Sequence, residues 1–284
     1  MIRSGERGIA LVIVLWGVTL LALLAGGLAS TSGLAVRRMS HAIESAQAHA
    51  ALETAAAAAE LALVDEAPGK AWRPDGSSHH LRFDFGEADV AVLSEAGKID
   101  LNHSPPALLR GLFDRWAPSN TEADRLFTAF VAWTTPGRGG RALLAVSELA
   151  ALPGITVPTY RRLARASTVH NESGRLAWRL AEADTISAIP GLTSQARAAL
   201  LAAKAQKDYS PDLATAQAFA AMGIIEGSAA PTPNLPLFVT LEIAVRLPSH
   251  ATASAEVLVR LAPREQTPVV ILEWHEPRWQ EEDL

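Results

Sequence analysis

The ionisable side chains between His79 and Asp89 are the first place where this sequence could do chemistry. Asp84, Glu87 and Asp89 suggest a calcium loop, because that ion takes several oxygen ligands, usually including carboxylates. They flank Gly86, however, and the stretch reads as a hairpin turn whose carboxylates stay in water. His79-His80 could supply two zinc ligands. No second pair stands at ligand spacing, so an ordinary loop is expected there. There is no nucleophile elbow, no His-Glu-x-x-His and no phosphate loop. The acidic end, Glu281-Glu282-Asp283, reads as a tail rather than an acid/base pair. The chain has no cysteine, which excludes disulfides and thiolate metal sites. These residues predict neither an enzyme nor a metal or cofactor site.

A different kind of chemistry, done to the chain rather than by it, is written at the N-terminus. Ile9 to Val36 is an uncharged run of 28 residues, preceded by eight residues ending Glu6-Arg7-Gly8. About 20 apolar residues suffice to cross a bilayer as a helix. A secretory signal is cut after its apolar core, at small residues. Here the small residue precedes the core. The junction resembles a type IV prepilin or pseudopilin leader, which a membrane peptidase cuts after the glycine. That resemblance makes Gly8 and Ile9 the processing site and Ile9 a methylated N-terminus. Arg3 and Arg7 lie before the run and Arg37 and Arg38 after it, so charge alone does not orient it.

The rest of the chain must carry and display this anchor. Its 284 residues suit one or two domains once the anchor is subtracted. Hydrophobic residues make up 49% and the net charge is -5, which disfavours a general polyanion-binding surface. Residues 39 to 65 lack Gly and Pro and are rich in Ala, so helix is expected from Ile9 to about Asp65, roughly 85 Å at 1.5 Å per residue. Met39, Ile43, Ala46, Ala50, Ala57, Leu61 and Val64 recur every three to four positions and predict the face that packs on a globular domain. Leu81 to Phe85 and Val90 to Leu93 read as early strands. Leu237 to Leu247, Ala253 to Ala262 and Val269 to Trp274 read as late ones, with a turn at Pro248-Ser249-His250.

Between them, residues 97 to 232 read as helical: Leu108 to Trp116, Ala123 to Trp133, Leu143 to Leu152, Tyr160 to Ala166, Ile186 to Lys207 and Leu213 to Met222. Trp116, Trp133 and Trp178 are expected to fill this core, with N–H groups that need partners. The region repeats itself. Gly97-Lys98-Ile99-Asp100-Leu101-Asn102 and Gly174-Arg175-Leu176-Ala177-Trp178-Arg179 each open a short extended segment before a helix. Leu152-Pro153-Gly154-Ile155-Thr156 and Ile189-Pro190-Gly191-Leu192-Thr193 are matching turns, like those of a helix-hairpin-helix.

Taken together, the leader, the long helix, Gly97 to Asn102, the Pro-Gly turns within a large insertion and the closing strands resemble the K-type minor pseudopilins of type II secretion systems (the GspK family). The resemblance implies an α+β fold: a pilin-like N-terminal helix packed on an antiparallel sheet, with an all-α domain inserted between strands. It divides the chain into a leader (1-8), a transmembrane half-helix (9-36) and a periplasmic half-helix (37-67). A pilin-like sheet (68-96 and 237-276), the insertion (97-232) and a tail (277-284) complete it. Cleavage after Gly8 makes Ile13 the fifth mature residue. Most pilins carry glutamate there, and K-type members lack it, so Ile13 marks a tip position. The implied partners are I- and J-type minor pseudopilins, the prepilin peptidase and the inner membrane, with a periplasmic C-terminal domain. A related type IV pilus system would use a similar subunit.

The sequence departs from the family where calcium binds. Ala132 to Gly137 is followed by Arg138-Gly139-Gly140-Arg141, and arginines replace the acidic residues expected there. The alternative reading is a membrane-anchored DNA receptor, with Arg161, Arg162 and Arg165 after the first turn and Arg197, Lys204 and Lys207 after the second. Thr156 and Thr193 stand where DNA-binding hairpins want a second glycine, so nucleic acid is not an expected partner.

Overall fold

The computed structural model describes residues 6–65, 72–84, 86–135, 140–204, 211–227, 237–262 and 267–275, and side chains within helix positions 6–10, 24–37 and 213 are not described. The tail (277-284) and residues 228–236 lie outside them.

Helix α1, Glu6–Val64, is followed by strands β1, Asp75–Phe83, and β2, Gly86–Ser94. A 3-10 turn, Glu95–Gly97, and a two-residue strand β3, Ile99–Asp100, lead into the helical region. That region contains α2, Pro106–Trp116; α3, Asn120–Thr134; a 3-10 segment, Val146–Ala151; and α4, Val157–Ala166. Strands β4, Ser167–Thr168, and β5, Leu176–Ala177, come next. Helices α5, Ala183–Ser187, α6, Ser194–Ala203, and α7, Leu213–Ala221, end at β6, Ile224–Ile225. The chain then returns as β7, Leu237–Arg246, β8, Thr252–Leu261, and β9, Val269–His275.

The main sheet runs β1-β2-β7-β8-β9, antiparallel throughout, so β2 and β7 are neighbours despite the whole helical region lying between them in sequence. Alternation builds one of its faces. Val239, Leu241, Ile243 and Val245 of β7 point one way, with Val257 and Val259 of β8 and Val90 and Val92 of β2 beside them. Helix α1 covers this face with Ala48, Ala51, Leu52, Ala55, Ala56 and Ala59.

That is not the stripe the periodicity predicts. Met39 and Leu61 are 68% and 71% exposed, and Ile43, Ala46, Ala50 and Ala57 also face solvent, with only Val64 partly covered. The physical reason is closeness. Alanine lets the helix axis come near a sheet already filled with branched side chains, and in an Ala-rich helix every face looks moderately apolar. The large apolar residues are left outside.

The helical region has its own core, centred on Phe113, Phe130, Leu126, Leu163 and Trp178. Two expected helices differ from the structure. Leu143 to Leu152 forms the 3-10 segment, because the Glu148 carboxylate accepts from the Leu144 and Ala145 N–H groups and tightens the entry. Ile186 to Lys207 is broken into α5 and α6 at Pro190-Gly191, where Gly191 takes φ +76°. Nor are His79 and His80 in a loop, since both lie in β1.

Candidate functional site

Residue Ile13 lies in α1 and is 66% exposed. Gly8 and Ile9 lie in the same helix, outside the described side chains. From Leu11 to Leu23 every residue is exposed, whichever way it points around the helix. A helix apolar on all sides requires burial in something other than its own domain. Among the described residues no helix is long and apolar enough to cross a membrane, and the side chains of the second half of the Ile9 to Val36 run are not described. Further along, the outward stripe of Met39, Ile43 and Leu61 continues the exposed apolar surface on the side of α1 away from the sheet.

The segment Gly97 to Asn102 becomes a hub. Asp100 is fully buried, and its Oδ1 accepts from the backbone N–H of Asn102 and of His103, both at 2.8 Å. His103 Nδ1 lies 3.0 Å from the same oxygen, while Oδ2 accepts from the Asn171 N–H at 2.9 Å. Asn102 clamps Leu143 from both sides, its Nδ2 donating to the carbonyl and its Oδ1 accepting from the N–H. In the sequence this motif stands out as half of a repeat and as a family mark. The signal was present all the same: an Asp whose side chain can bond backbone two and three residues on, the signature of an Asx turn.

Just before it, Glu95 ties the helical region to the sheet. Its Oε1 is 2.7 Å from Lys98 Nζ and accepts from the Thr240 hydroxyl of β7 at 2.7 Å. Burial pushes the Glu95 carboxyl up, but the Lys98 charge and hydrogen bonds from Lys98, Thr168 and Thr240 together hold it below its ordinary 4.5. A depressed carboxylate gives stability that is present above the unfolded value and lost as pH falls through the folded one. Acidification below about pH 4.5 should therefore weaken the wild type. Glu95→Gln should be less stable at pH 7 and show a shallower loss on acidification, read from unfolding midpoints between pH 7 and pH 3.

The two Pro-Gly turns are structural copies. Thr156 caps α4 by accepting from the Thr159 N–H, and Thr193 caps α6 by accepting from the Ala196 N–H. Buried Leu149, Leu152, Leu163 and Ala166 around the first turn correspond to buried Ile186, Ile189, Leu200 and Ala203 around the second. At the first turn Arg125 donates to the Pro153 and Gly154 carbonyls, and at the second Arg197 donates to the Leu192 carbonyl. The copies also close alike, by two-residue parallel pairs, β3 with β4 and β5 with β6.

The other candidates are local. His79 stacks on Trp72 with ring centroids 3.9 Å apart, and His80 Nδ1 is 2.9 Å from Asp89 across the β1–β2 pair. Glu87 faces Arg82 at 3.6 Å. Asp84, at the turn, adds no further ligand, and among the described residues no group of three could hold a metal ion. Part of the departed calcium stretch, 136–139, lies outside the described residues. Arg141, at its end, pairs with Glu148. Trp178 is buried and Trp133 packs against the helical core, but the Trp116 Nε1–H has no acceptor among the described residues.

No family model and no curated protein matches the chain. Among solved structures it is similar to a chain of "The Crystal Structure of the GspK-GspI-GspJ complex from enterotoxigenic Escherichia coli Type 2 Secretion System". The identity is 12% and the TM-score 0.51, covering 83% of this chain and 99% of that one. The likeness is one of fold: mixed helix and antiparallel sheet, arranged as in a pseudopilin.

Proposed function

We propose that this chain is a K-type minor pseudopilin of a type II secretion system, a structural, non-enzymatic subunit at the tip of a short periplasmic filament. The observation that carries it is the fold match across nearly the whole of a chain from a complex of three such proteins. The helical region placed between neighbouring strands β2 and β7 supports a tip position, because its bulk would obstruct a subunit stacked above it. The exposed apolar surface of α1 supports the rest. Residues 11–23 suit the inner membrane, and the Met39, Ile43 and Leu61 stripe suits the helices of I- and J-type partners. Ile13 in place of a glutamate spares this subunit a carboxylate in lipid, which costs a few kcal/mol when unpaired. The C-terminal part would then be periplasmic.

The test is intact mass and N-terminal sequencing of protein taken from membranes that contain a prepilin peptidase. The expected mature chain starts at Ile9, with a methyl group, and Gly8→Arg should remain uncut. A chain still beginning at Met1, or cut near Ala29 to Ser32, would reject the assignment.

A further inference from the structure

Between α4 and the face of the sheet turned away from α1 lies a cleft of about 970 Å³, at the upper end of the range for ligand pockets. The sheet wall is acidic and α4 opposite is basic, with Glu182 and Asp184 of the helical region adding acid to the lining. On the sheet wall, Glu242 of β7 and Glu256 of β8 are cross-strand partners in register. Like charges directly opposite one another are destabilising, and such positions are only about 5 Å apart. Neither carboxylate has a basic group within ion-pair distance among the described residues. Burial raises the Glu242 carboxyl, Glu182 and Glu256 raise it further, and Arg165 and Lys98 act on it only at longer range. On the opposite wall Arg161 and Arg165 are one turn apart on α4, both exposed and both without an ion pair among the described residues. Two neighbouring groups are paired. Glu273 sits 2.9 Å from His275, and Lys98 is taken by Glu95.

The end of the cleft is aromatic. Trp116 lines it and is 8% exposed, and its indole N–H lacks an acceptor among the described residues. Arg115 and Arg162 lie over its ring at 4.4 and 5.6 Å. The indole N–H is itself closed off, and what this end offers is the pair of guanidinium groups, which suit a carboxylate oxygen. A small ion could satisfy one wall only. A polypeptide carries cation and anion together, at intervals that fit a cleft of this size.

We propose that this cleft binds an extended polypeptide segment of mixed charge. A lysine or arginine of the segment enters between Glu242 and Glu256, and an acidic side chain meets Arg161 and Arg165. The inference goes beyond the assembly reading and does not lean on it, since none of these residues lies on α1. It also explains why a repelling pair survives on a surface where glutamine would cost nothing: binding sites commonly sacrifice stability.

Two measurements on the full chain in detergent micelles test it. In the first, a phage-displayed library of random 12-residue peptides is selected on the wild type and counter-selected on Glu242→Gln/Glu256→Gln and on Arg161→Ala/Arg165→Ala. Enriched peptides should carry both a basic and an acidic residue, and a fluorescein-labelled example should bind each double variant at least tenfold more weakly. In the second, thermal melting of Glu256→Gln should lie above that of the wild type. No enrichment over the counter-selections, equal binding to the variants, or a lowered melting point showing the carboxylates to be structural would each overturn the proposal.

Discussion

Replacing Asp100 with alanine should leave the chain unable to hold its helical region together at 37 °C. The carboxylate is fully buried and accepts from the backbone N–H groups of Asn102, His103 and Asn171. Alanine strands three donors, the Asn171 N–H fully buried and the Asn102 and His103 N–H groups part-buried. Each costs about 1–3 kcal/mol when left unmet, so the sum is comparable with a domain stability of about 5–15 kcal/mol. Asn171 adds reach to the damage. It also accepts from Ser173 and donates to the Arg175 carbonyl, so the loop into the second copy loosens as well. Asp100→Asn keeps the shape and one acceptor but turns an NH2 group toward donors, and should lose less. Urea unfolding followed by tryptophan fluorescence, which reports on buried Trp178, checks both. An Asp100→Ala midpoint equal to wild type would show the hub to be dispensable.

Gly174→Ala should be nearly as damaging, by steric means. Gly174 has φ +62°, and a Cβ there would sit 2.3 Å from the His103 carbonyl oxygen. Left-handed backbone costs a non-glycine residue about 1–2 kcal/mol, and the clash is with main chain that cannot swing aside. Gly97, at the equivalent place in the first copy, answers it: a Cβ there would sit 2.5 Å from the Leu180 carbonyl oxygen. The opening glycine of each copy is thus pressed by the turn that follows the extended segment of the other. Gly97→Ala meets the clash without the left-handed penalty, and its expected cost is smaller. Because both changes pry apart one pair of crossed segments, the double variant should lose less than the sum of the singles. Strict additivity in a double-mutant cycle of unfolding free energies would show the two contacts to be independent.

Reading the sequence worked where a pattern is local. Alternation placed β7, β8 and β9 to within a few residues, because one face of each is filled by the sheet's own core. The Pro-Gly turns were legible because glycine alone takes their positive φ readily. The buried face of α1 was not legible. Choosing Ala55 over Ala57 depends on how near the sheet comes, and periodicity contains no distance. Two-residue pairings such as Ile99 with Ser167 leave no mark either, being too short for any alternation. The Glu242–Glu256 pair was hidden for a related reason, since it exists only through the register between β7 and β8. His79 and His80 were visible as chemistry, and their neighbours gave them ordinary work as a stacked ring and a paired one.

The order of the sheet sets a schedule for how the chain can fold. Strand β2 ends at Ser94, and the partner it must pair with begins only at Leu237. Until that partner has been made, α1 has no β7 or β8 to lie against, and β2 has an open edge. Closing so long a loop in a flexible chain carries an entropic cost that grows with its length, and late long-range pairing is slow and prone to misassembly. The helical region shortens the wait. Its own core and its strand pairs, β3 with β4 and β5 with β6, need nothing outside residues 99 to 225, so it can form first and present the chain on either side of it as neighbours. Closure of the sheet would then be paced by the second copy, whose completion at β6 brings β7 back to β2.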